Sequence, residues 1–109
     1  MQIINPATEE IIAELSEDTT ATLSAKYQLL KAAQPGWSSM GISERKKILL
    51  QFSDLMGEKI EQLALVLTNE VGKPIQQSRN EINGGRTRIK WLAENSEKYL
   101  GDEIGRAHV

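Results

Sequence analysis

The sequence contains no cysteine and a single histidine, His108, which is the second-to-last residue. Without cysteine the chain cannot form a disulfide, a thiolate zinc site or a cysteine nucleophile. With one histidine the chain cannot build a histidine metal cluster, and we do not expect a catalytic triad or a histidine general base. The serine and threonine hydroxyls likewise have no nearby histidine to activate them as nucleophiles.

The sequence also lacks long apolar runs and a surplus of positive charge. No apolar stretch approaches the roughly 18 residues that a membrane-spanning helix needs. The first ten residues, MQIINPATEE, do not resemble a signal peptide. The net charge of −2 argues against a general nucleic-acid-binding protein. We therefore expect one globular domain, located in the cytoplasm, that binds neither nucleic acid nor membranes.

Hydrophobic patterns predict a mostly α-helical chain with a short N-terminal β-hairpin. The hairpin is expected within residues 2–15, where two short apolar runs flank the turn sequence NPATEE. Helices are expected at about residues 19–34, 43–71 and 74–100, because apolar residues recur there at spacings of three and four.

Capping and helix-breaking residues set the expected helix boundaries. Thr19 and Ser43 are the expected N-caps of the first two helices. Pro35 is expected to end the first helix near Ala33, which leaves Trp37 in the following loop.

Glycines are expected to interrupt the long helical patterns. Gly57 bends or interrupts the second helix, and Gly101 stops the last one. Gly84 and Gly85 lie inside the last helix, where each costs roughly 1 kcal/mol. They indicate either close approach of another backbone or a local kink. The expected apolar face of this helix comprises Ile75, Ser78, Ile82, Gly85, Ile89, Leu92, Ser96 and Tyr99.

The segment EVGKP, residues 70–74, contains the glycine–lysine pair with which many phosphate-binding loops end. Such a loop follows a strand and needs backbone N–H groups, but here a helical pattern precedes the pair and Pro74 has no N–H. The segment instead predicts a corner between two helices. Gly72 takes a left-handed conformation, Pro74 opens the next helix and Lys73 is solvated.

Three consecutive basic residues, Arg45, Lys46 and Lys47, stand near the start of the second helix, where positive charge is disfavoured. They form either a basic patch for nucleic acid or a solvated face from which one arginine reaches a carboxylate elsewhere; the acidic balance favours the second interpretation. The four tyrosines and tryptophans are scattered along the sequence and indicate packing residues, not a platform for stacked bases.

Five short segments form an ordered series: INPATEEIIAEL, AAQPGW, SERKKILLQFSDLM, LALVLTNEVGKPIQQSRNEI and RIKWLAENSEKYLGDE. Taken together, this series resembles the N-terminal part of the aldehyde dehydrogenase superfamily. The resemblance covers residues 3 to about 103, and its specificity comes from the order and spacing of the segments. Trp91 to Glu94, WLAE, is further similar to bacterial members that oxidise semialdehydes such as succinate semialdehyde.

The resemblance implies the N-terminal helical layer of the α/β aldehyde dehydrogenase fold, which precedes the cofactor-binding strands. Complete members are several times longer and oxidise an aldehyde to a carboxylate with NAD or NADP, using a cysteine nucleophile and a glutamate base. None of these groups falls in the matching segment, so no catalytic or cofactor-binding residue is assigned and the chain alone is expected to bind no cofactor. The resemblance also implies a structural monovalent cation, held by the backbone carbonyls of Ile4 and Glu81 together with ligands from elsewhere.

Two functions from different classes stay open. In the first, the chain is an N-terminal fragment of an NAD(P)-dependent aldehyde dehydrogenase, inactive alone, and its partner is the remainder of that enzyme. In the second, it is a self-associating helical interaction module without catalysis, because apolar faces that would cover a cofactor domain would otherwise be exposed. We expect a homo-oligomer, in the form of a symmetric dimer that pairs through the last helix or the hairpin edge.

Overall fold

The computed structural model describes residues 1–101, and the structural statements below refer to that part of the chain. The predicted fold class, mostly α-helical with an N-terminal hairpin, is confirmed. The elements follow in the order β1 (Gln2–Ile4), β2 (Ile11–Glu14), α1 (Thr20–Ser39), α2 (Ile42–Glu58), α3 (Ile60–Val71), α4 (Ile75–Ser96) and a π-helical segment (Glu97–Gly101).

The hairpin pairs β1 and β2 in antiparallel fashion, with Gln2 opposite Glu14. Its turn depends on Asn5, which is 8% exposed. The Asn5 Oδ1 accepts hydrogen bonds from the backbone N–H groups of Ala7 at 2.8 Å and Thr8 at 3.3 Å. An asparagine side chain can replace a backbone carbonyl in this way, which is why the NPAT sequence forms a turn.

Helix α1 begins at the predicted cap. The Thr19 side chain accepts a bond from the Thr22 N–H at 3.2 Å, and the Thr22 hydroxyl accepts one from the Thr19 N–H at 2.8 Å. This reciprocal capping box satisfies backbone groups that the first helical turn leaves free.

The predicted end of α1 near Ala33 is wrong, because Pro35 lies inside the helix and Trp37 is helical. A proline removes one backbone donor and bends a helix, but it does not always terminate it. No residue of α1 is buried, so packing does not oppose that bend. The helix ends at Ser39.

The single long helix expected next is two helices, α2 and α3. The break lies at Lys59, which has φ −107° and ψ 21°, and not at Gly57, which stays helical. The N-cap of α2 is Gly41 and not Ser43. The extended backbone of Gly41 allows its carbonyl to accept bonds from the Glu44 and Arg45 N–H groups at 3.1 and 3.2 Å.

The corner between α3 and α4 has the predicted form. Gly72 is left-handed, with φ 73°, and its N–H donates to the Thr68 carbonyl at 2.8 Å. Pro74 is the N-cap residue of α4, one position before the first helical residue, Ile75. The left-handed residue and the proline together end one helix and begin the next.

The last predicted helix is α-helical only as far as Ser96. Residues 97–101 continue as a π-helix, so Gly101 is part of this segment and does not stop an α-helix. The predicted face is correct at Ser78, which is fully buried. Near the end of the helix, however, Ala93 is buried while Leu92 is exposed.

Helix α4 packs against both α2 and α3, and small residues fill these contacts. Small side chains let helix backbones approach closely. The larger apolar side chains of the same helices are half-buried, as at Ile82 and Ile89, or exposed, as at Leu92. The buried residues are Asn5, Ser53, Ala64, Ser78 and Ala93. The core between the helices is consequently thin.

In the contact between α2 and α4, the glycine that permits close approach is Gly57, and not the Gly84–Gly85 pair. A Cβ atom on Gly57 would lie 2.4 Å from the Cζ of Arg86. A Cβ on Gly84 would meet nothing within 4 Å, and one on Gly85 would make only an ordinary contact with Met56 at 3.9 Å. No other backbone within residues 1–101 therefore approaches the Gly84–Gly85 pair closely, whereas the Arg86 guanidinium fills the space beside Gly57.

Candidate functional site

One surface feature is an apolar groove formed by α2, α4 and the π-helical segment. We call it the α4 groove and define it by Leu49, Trp91, Leu92, Tyr99 and Leu100, which border a cavity of about 330 Å³. Their exposed fractions lie between 41% for Leu49 and 56% for Leu92. Apolar side chains of this size are usually covered, so a contiguous exposed set of them indicates a contact surface.

The two aromatic rings of the α4 groove stack on each other. The centroids of Trp91 and Tyr99 are 6.2 Å apart, at an interplanar angle of 30°. The sequence interpretation placed Tyr99 on the apolar face but did not pair the two rings. Their spacing of eight residues, slightly more than two helical turns, is the signal that could have linked them.

The acidic side chains of residues 1–101 are candidate metal ligands and proton-transfer groups. No group of three or more histidine, aspartate or glutamate side chains could hold a metal ion there. The Asp18 carboxylate is occupied by Lys26 at 2.7 Å and by the Thr22 hydroxyl at 2.9 Å. The Lys26 ammonium, followed by the Thr22 hydroxyl, holds the pKa of Asp18 below its ordinary value. This carboxylate stabilises the start of α1 and is not poised for proton transfer.

Lys73 is only partly solvated, which corrects the expectation from the sequence. Its side chain is half-buried and forms an ion pair with the carboxylate of Glu81 on α4. The neighbouring Gly72 packs against the hairpin turn, because a Cβ on Gly72 would lie 2.9 Å from the Pro6 ring and 3.1 Å from the Ala7 nitrogen. The corner is thus closed by the hairpin.

The two residues implied as cation ligands are each linked to the corner between α3 and α4. Ile4 ends β1, directly before the turn that contacts Gly72. Glu81 lies within α4 and is joined by its ion pair to Lys73, next to Gly72. The backbone carbonyl of Glu81 has a helical N–H as a regular partner, which leaves one lone pair free for a cation.

A second polar contact joins α3 to α4. Arg79 donates from Nε and Nη2 to the two carboxylate oxygens of Glu61, at 2.8 and 3.0 Å. This paired contact lowers the pKa of Glu61 and raises the pKa of Arg79. Nearby, the hydroxyls of Thr68 and Ser78 lie 2.7 Å apart. Sequence reasoning missed these contacts because their partners are ten or more residues apart and follow no periodic pattern.

The basic residues at the start of α2 do not form one uniform exposed patch. Arg45 and Lys46 are half-buried, whereas Lys47 is exposed. The expected carboxylate partner of one arginine is absent from residues 1–101, since Arg45 has no ion pair there and its Nε has no hydrogen-bond partner. None of the helices in that range is long and apolar enough to cross a membrane.

Comparison with solved structures identifies the class of protein to which this architecture belongs. A glyceraldehyde-3-phosphate dehydrogenase of Methanocaldococcus jannaschii, solved with NADP, superimposes with a TM-score of 0.85 and 25% identity, over 91% of this chain and 22% of that one. An aldehyde dehydrogenase of Brucella melitensis biovar abortus superimposes equally well, with 29% identity over 89% of this chain and 20% of that one. The helices and hairpin thus have the arrangement found in one part of such dehydrogenases.

Sequence comparison then gives the family. The model of the aldehyde dehydrogenase family matches residues 1–108, and the chain belongs to that family. It is 32% identical to the glutarate-semialdehyde dehydrogenase of Pseudomonas putida over 104 residues, which is 95% of this chain and 22% of that protein. It is also 32% identical to the mitochondrial succinate-semialdehyde dehydrogenase of Arabidopsis thaliana over 108 residues, or 20% of that protein. The chain therefore spans about a fifth of the length of these relatives, whose names agree with the semialdehyde resemblance of WLAE.

Proposed function

We propose that this chain is the N-terminal helical segment of an NAD(P)-dependent aldehyde dehydrogenase that oxidises a semialdehyde to a carboxylate. The observation that carries this proposal is the family match over residues 1–108, combined with the coverage of about a fifth of the relatives. The absence of cysteine supports the corollary that the 109 residues alone are inactive. The structural neighbour solved with NADP supports a nicotinamide cofactor for the complete enzyme.

In this proposal the segment serves as a contact layer. The fully buried residues between its helices are serine and alanine, while many large apolar side chains, including Trp91 and Leu92, are exposed, which is an unusual distribution. The α4 groove would be covered by the polypeptide that carries the cofactor and catalytic groups. Such a layer contributes to catalysis by supporting the site, without touching the reacting atoms.

The second candidate is a self-associating helical module, which the same exposed groove favours. Two copies that cover each other's α4 grooves would remove Trp91, Leu92 and Tyr99 from water, and a symmetric dimer needs only one such surface. The cytoplasmic location and the homo-oligomeric state expected from the sequence stay predictions.

We further propose that the backbone carbonyls of Ile4 and Glu81 contribute to a monovalent cation site in the complete enzyme. Carbonyl oxygens suit such hard cations, and Gly72 and Lys73 connect the two residues through the corner that the hairpin closes. Two carbonyls are too few for a full coordination shell, so other ligands would come from the rest of the enzyme.

A chimera tests the main proposal. Residues 1–101 of this chain replace the matching segment of the Pseudomonas putida glutarate-semialdehyde dehydrogenase, and NAD(P)H formation is followed with glutarate semialdehyde. We expect activity from the chimera and none from the 109-residue chain alone. The matched control is the Pseudomonas putida enzyme without its N-terminal segment, which we expect to be inactive or insoluble.

Activity of the isolated chain would contradict the proposal. A chimera that folds and assembles like the parent enzyme but does not oxidise the aldehyde would also contradict it. Light scattering, which measures the mass of the isolated chain in solution, tests the second candidate, the self-associating module. A defined dimer that is abolished by Leu92→Glu, but not by Leu29→Glu on the exposed surface of α1, would favour self-association through the α4 groove.

A further inference from the structure

A second, smaller cavity lies beside the α4 groove, between the end of α1, the start of α2 and the π-helical segment. Its volume is about 170 Å³. We call it the Arg45 cavity. Its lining includes Trp37, Arg45, Lys46, Leu49, Ser96 and Leu100.

The Nε of Arg45 in this cavity is buried and has no hydrogen-bond partner within residues 1–101. A buried donor that has lost its water costs free energy unless another group accepts its hydrogen, and the cost is larger for a charged group. The ion pairs in the same part of the chain involve other cations, namely Lys26, Lys73 and Arg79. A hydrogen-bond acceptor from outside residues 1–101 would therefore stabilise Arg45.

The lining of the cavity offers positive charge and no carboxylate. Arg45 and Lys46 are both cationic, and within residues 1–101 no aspartate or glutamate borders the cavity. The Ser96 hydroxyl already donates to the Ala93 carbonyl at 2.7 Å. Arg45 also lies in the first turns of α2, where the helix dipole disfavours a cation and favours an anion. A negatively charged group in the cavity would accept a hydrogen bond from the Arg45 Nε, and it would interact favourably with the helix dipole.

We propose that the Arg45 cavity receives a carboxylate side chain from the polypeptide that completes the dehydrogenase. This inference rests on the proposed function, since it assigns the occupant to the remaining four-fifths or so of such an enzyme. Leu49 and Leu100 border both the cavity and the α4 groove, so one covering segment can fill the groove with apolar side chains and place its carboxylate on Arg45. The guanidinium fork matches a carboxylate in two parallel hydrogen bonds.

The preference for a carboxylate is tested on the isolated chain with hexanoate, which joins one carboxylate to an apolar tail. Nuclear magnetic resonance titration should show saturable shifts of the Arg45 Nε–H and the Trp37 indole N–H. Hexanamide, which has the same tail without the charge, and inorganic phosphate, which has charge without a tail, should bind roughly tenfold more weakly or not at all. Equal binding of hexanoate and hexanamide would overturn the proposal without the need for any variant.

Matched variants locate the site. Arg45→Gln removes the charge and should weaken hexanoate binding roughly tenfold or more. Lys47→Gln removes the same charge from an exposed position of α2 that does not line the cavity, and it should leave binding unchanged. Circular dichroism verifies that both variants keep their helix content, and Arg45→Lys, which keeps the charge but loses the fork, should bind with intermediate affinity. Equal loss in Arg45→Gln and Lys47→Gln would overturn the proposal.

The source of the carboxylate is tested by comparing the isolated chain with the active chimera. If the rest of the enzyme fills the cavity, hexanoate should bind the isolated chain but not the chimera. An active chimera that binds hexanoate as tightly as the isolated chain would leave the proposed function intact and refute the occupant assigned here. Binding that appears in the isolated chain only after Asp102→Asn and Glu103→Gln, or a dimer broken by Arg45→Gln, would assign the carboxylate to this chain itself and equally refute it.

Discussion

Ser53 and Arg86 exchange hydrogen bonds across the contact between α2 and α4. The Ser53 hydroxyl donates to the Arg86 carbonyl at 3.2 Å, and the Arg86 Nε donates to the Ser53 carbonyl at 2.9 Å. Ser53 is 4% exposed, so its hydroxyl would cost free energy if left without a partner. Gly57, one turn after Ser53, leaves the space that the guanidinium occupies. A reciprocal polar contact thus fixes how α2 lies against α4, in a place where no large apolar residue is buried.

The contact predicts that Gly57→Ala has opposite effects in two backgrounds. In the wild-type chain the new methyl group displaces the Arg86 guanidinium and breaks its bond to Ser53. Such a bond from a charged donor contributes about 1.5–3 kcal/mol, whereas alanine gains about 1 kcal/mol over glycine in a helix. Gly57→Ala should therefore destabilise the wild-type chain and stabilise the Arg86→Ala chain. Urea unfolding followed by circular dichroism measures both, and equal effects in the two backgrounds would show that the contact is not formed.

The elements that sequence reasoning predicted correctly are those whose backbone groups are satisfied locally. Asn5 bonds to residues two and three positions later, Thr19 bonds to Thr22, and Gly72 bonds back to Thr68. Each of these contacts lies within one turn of the chain, so the local sequence contains the information needed. Pro35 was misassigned because its effect depends on whether neighbours resist a bend, and that is not a local property.

The long-range features could not be predicted in the same way. Ser53 and Arg86 are 33 residues apart in the sequence. A periodic pattern does not indicate a polar contact between residues so far apart along the chain. Periodicity placed Ser78 correctly on the inner face of α4, but it could not say that Ala93 is inside while Leu92 is outside. Which apolar residues are buried depends on what covers them. The assignment of Ile4 and Glu81 rested on family resemblance and stays a prediction.

The left-handed corner predicts that Gly72→Ala destabilises the chain. Its φ of 73° disfavours alanine, and the added Cβ would lie 2.9 Å from the Pro6 ring. Conformation and overlap together should lower the free energy of unfolding by about 1–3 kcal/mol. The matched control is Gly84→Ala, where the Cβ meets nothing within 4 Å in a helix and the chain should gain up to about 1 kcal/mol. Denaturant midpoints compare the two variants, and a neutral Gly72→Ala would indicate that the hairpin does not pack on this corner.

The hairpin turn predicts a stabilising substitution at Glu9. Glu9 has φ 64°, a left-handed conformation that non-glycine residues adopt at a cost of roughly 1 kcal/mol. Glu9→Gly should remove this cost and raise the free energy of unfolding by up to about 1 kcal/mol. Glu10→Gly removes the same charge from a neighbour that is not left-handed, and it should be neutral or destabilising because glycine gains freedom in the unfolded chain. A thermal melt in which both glycine variants behave alike would argue against a left-handed Glu9.

The paired contact between Glu61 and Arg79 predicts how stability changes with pH. The Arg79 hydrogen bonds hold the pKa of Glu61 below its ordinary value of 4.5. As the pH falls, the unfolded chain therefore takes up a proton at Glu61 before the folded chain does. The contribution of Glu61 to the free energy of unfolding is complete above about pH 4.5, and it is lost as the pH falls through the lower folded pKa. The Glu61 side chain is 67% exposed and the Arg79 side chain 34% exposed, so salt should weaken the effect. Urea midpoints measured at low ionic strength on either side of this pH range should fall less steeply for Glu61→Gln than for wild type.

The matched control is Glu58→Gln. Glu58 is an exposed α2 carboxylate without an ion pair in residues 1–101. This variant should keep the wild-type slope, because Asp18 and the intact Glu61 still take up their protons. Parallel slopes for wild type and Glu61→Gln would mean that the contact between α3 and α4 does not hold the carboxylate in its charged form.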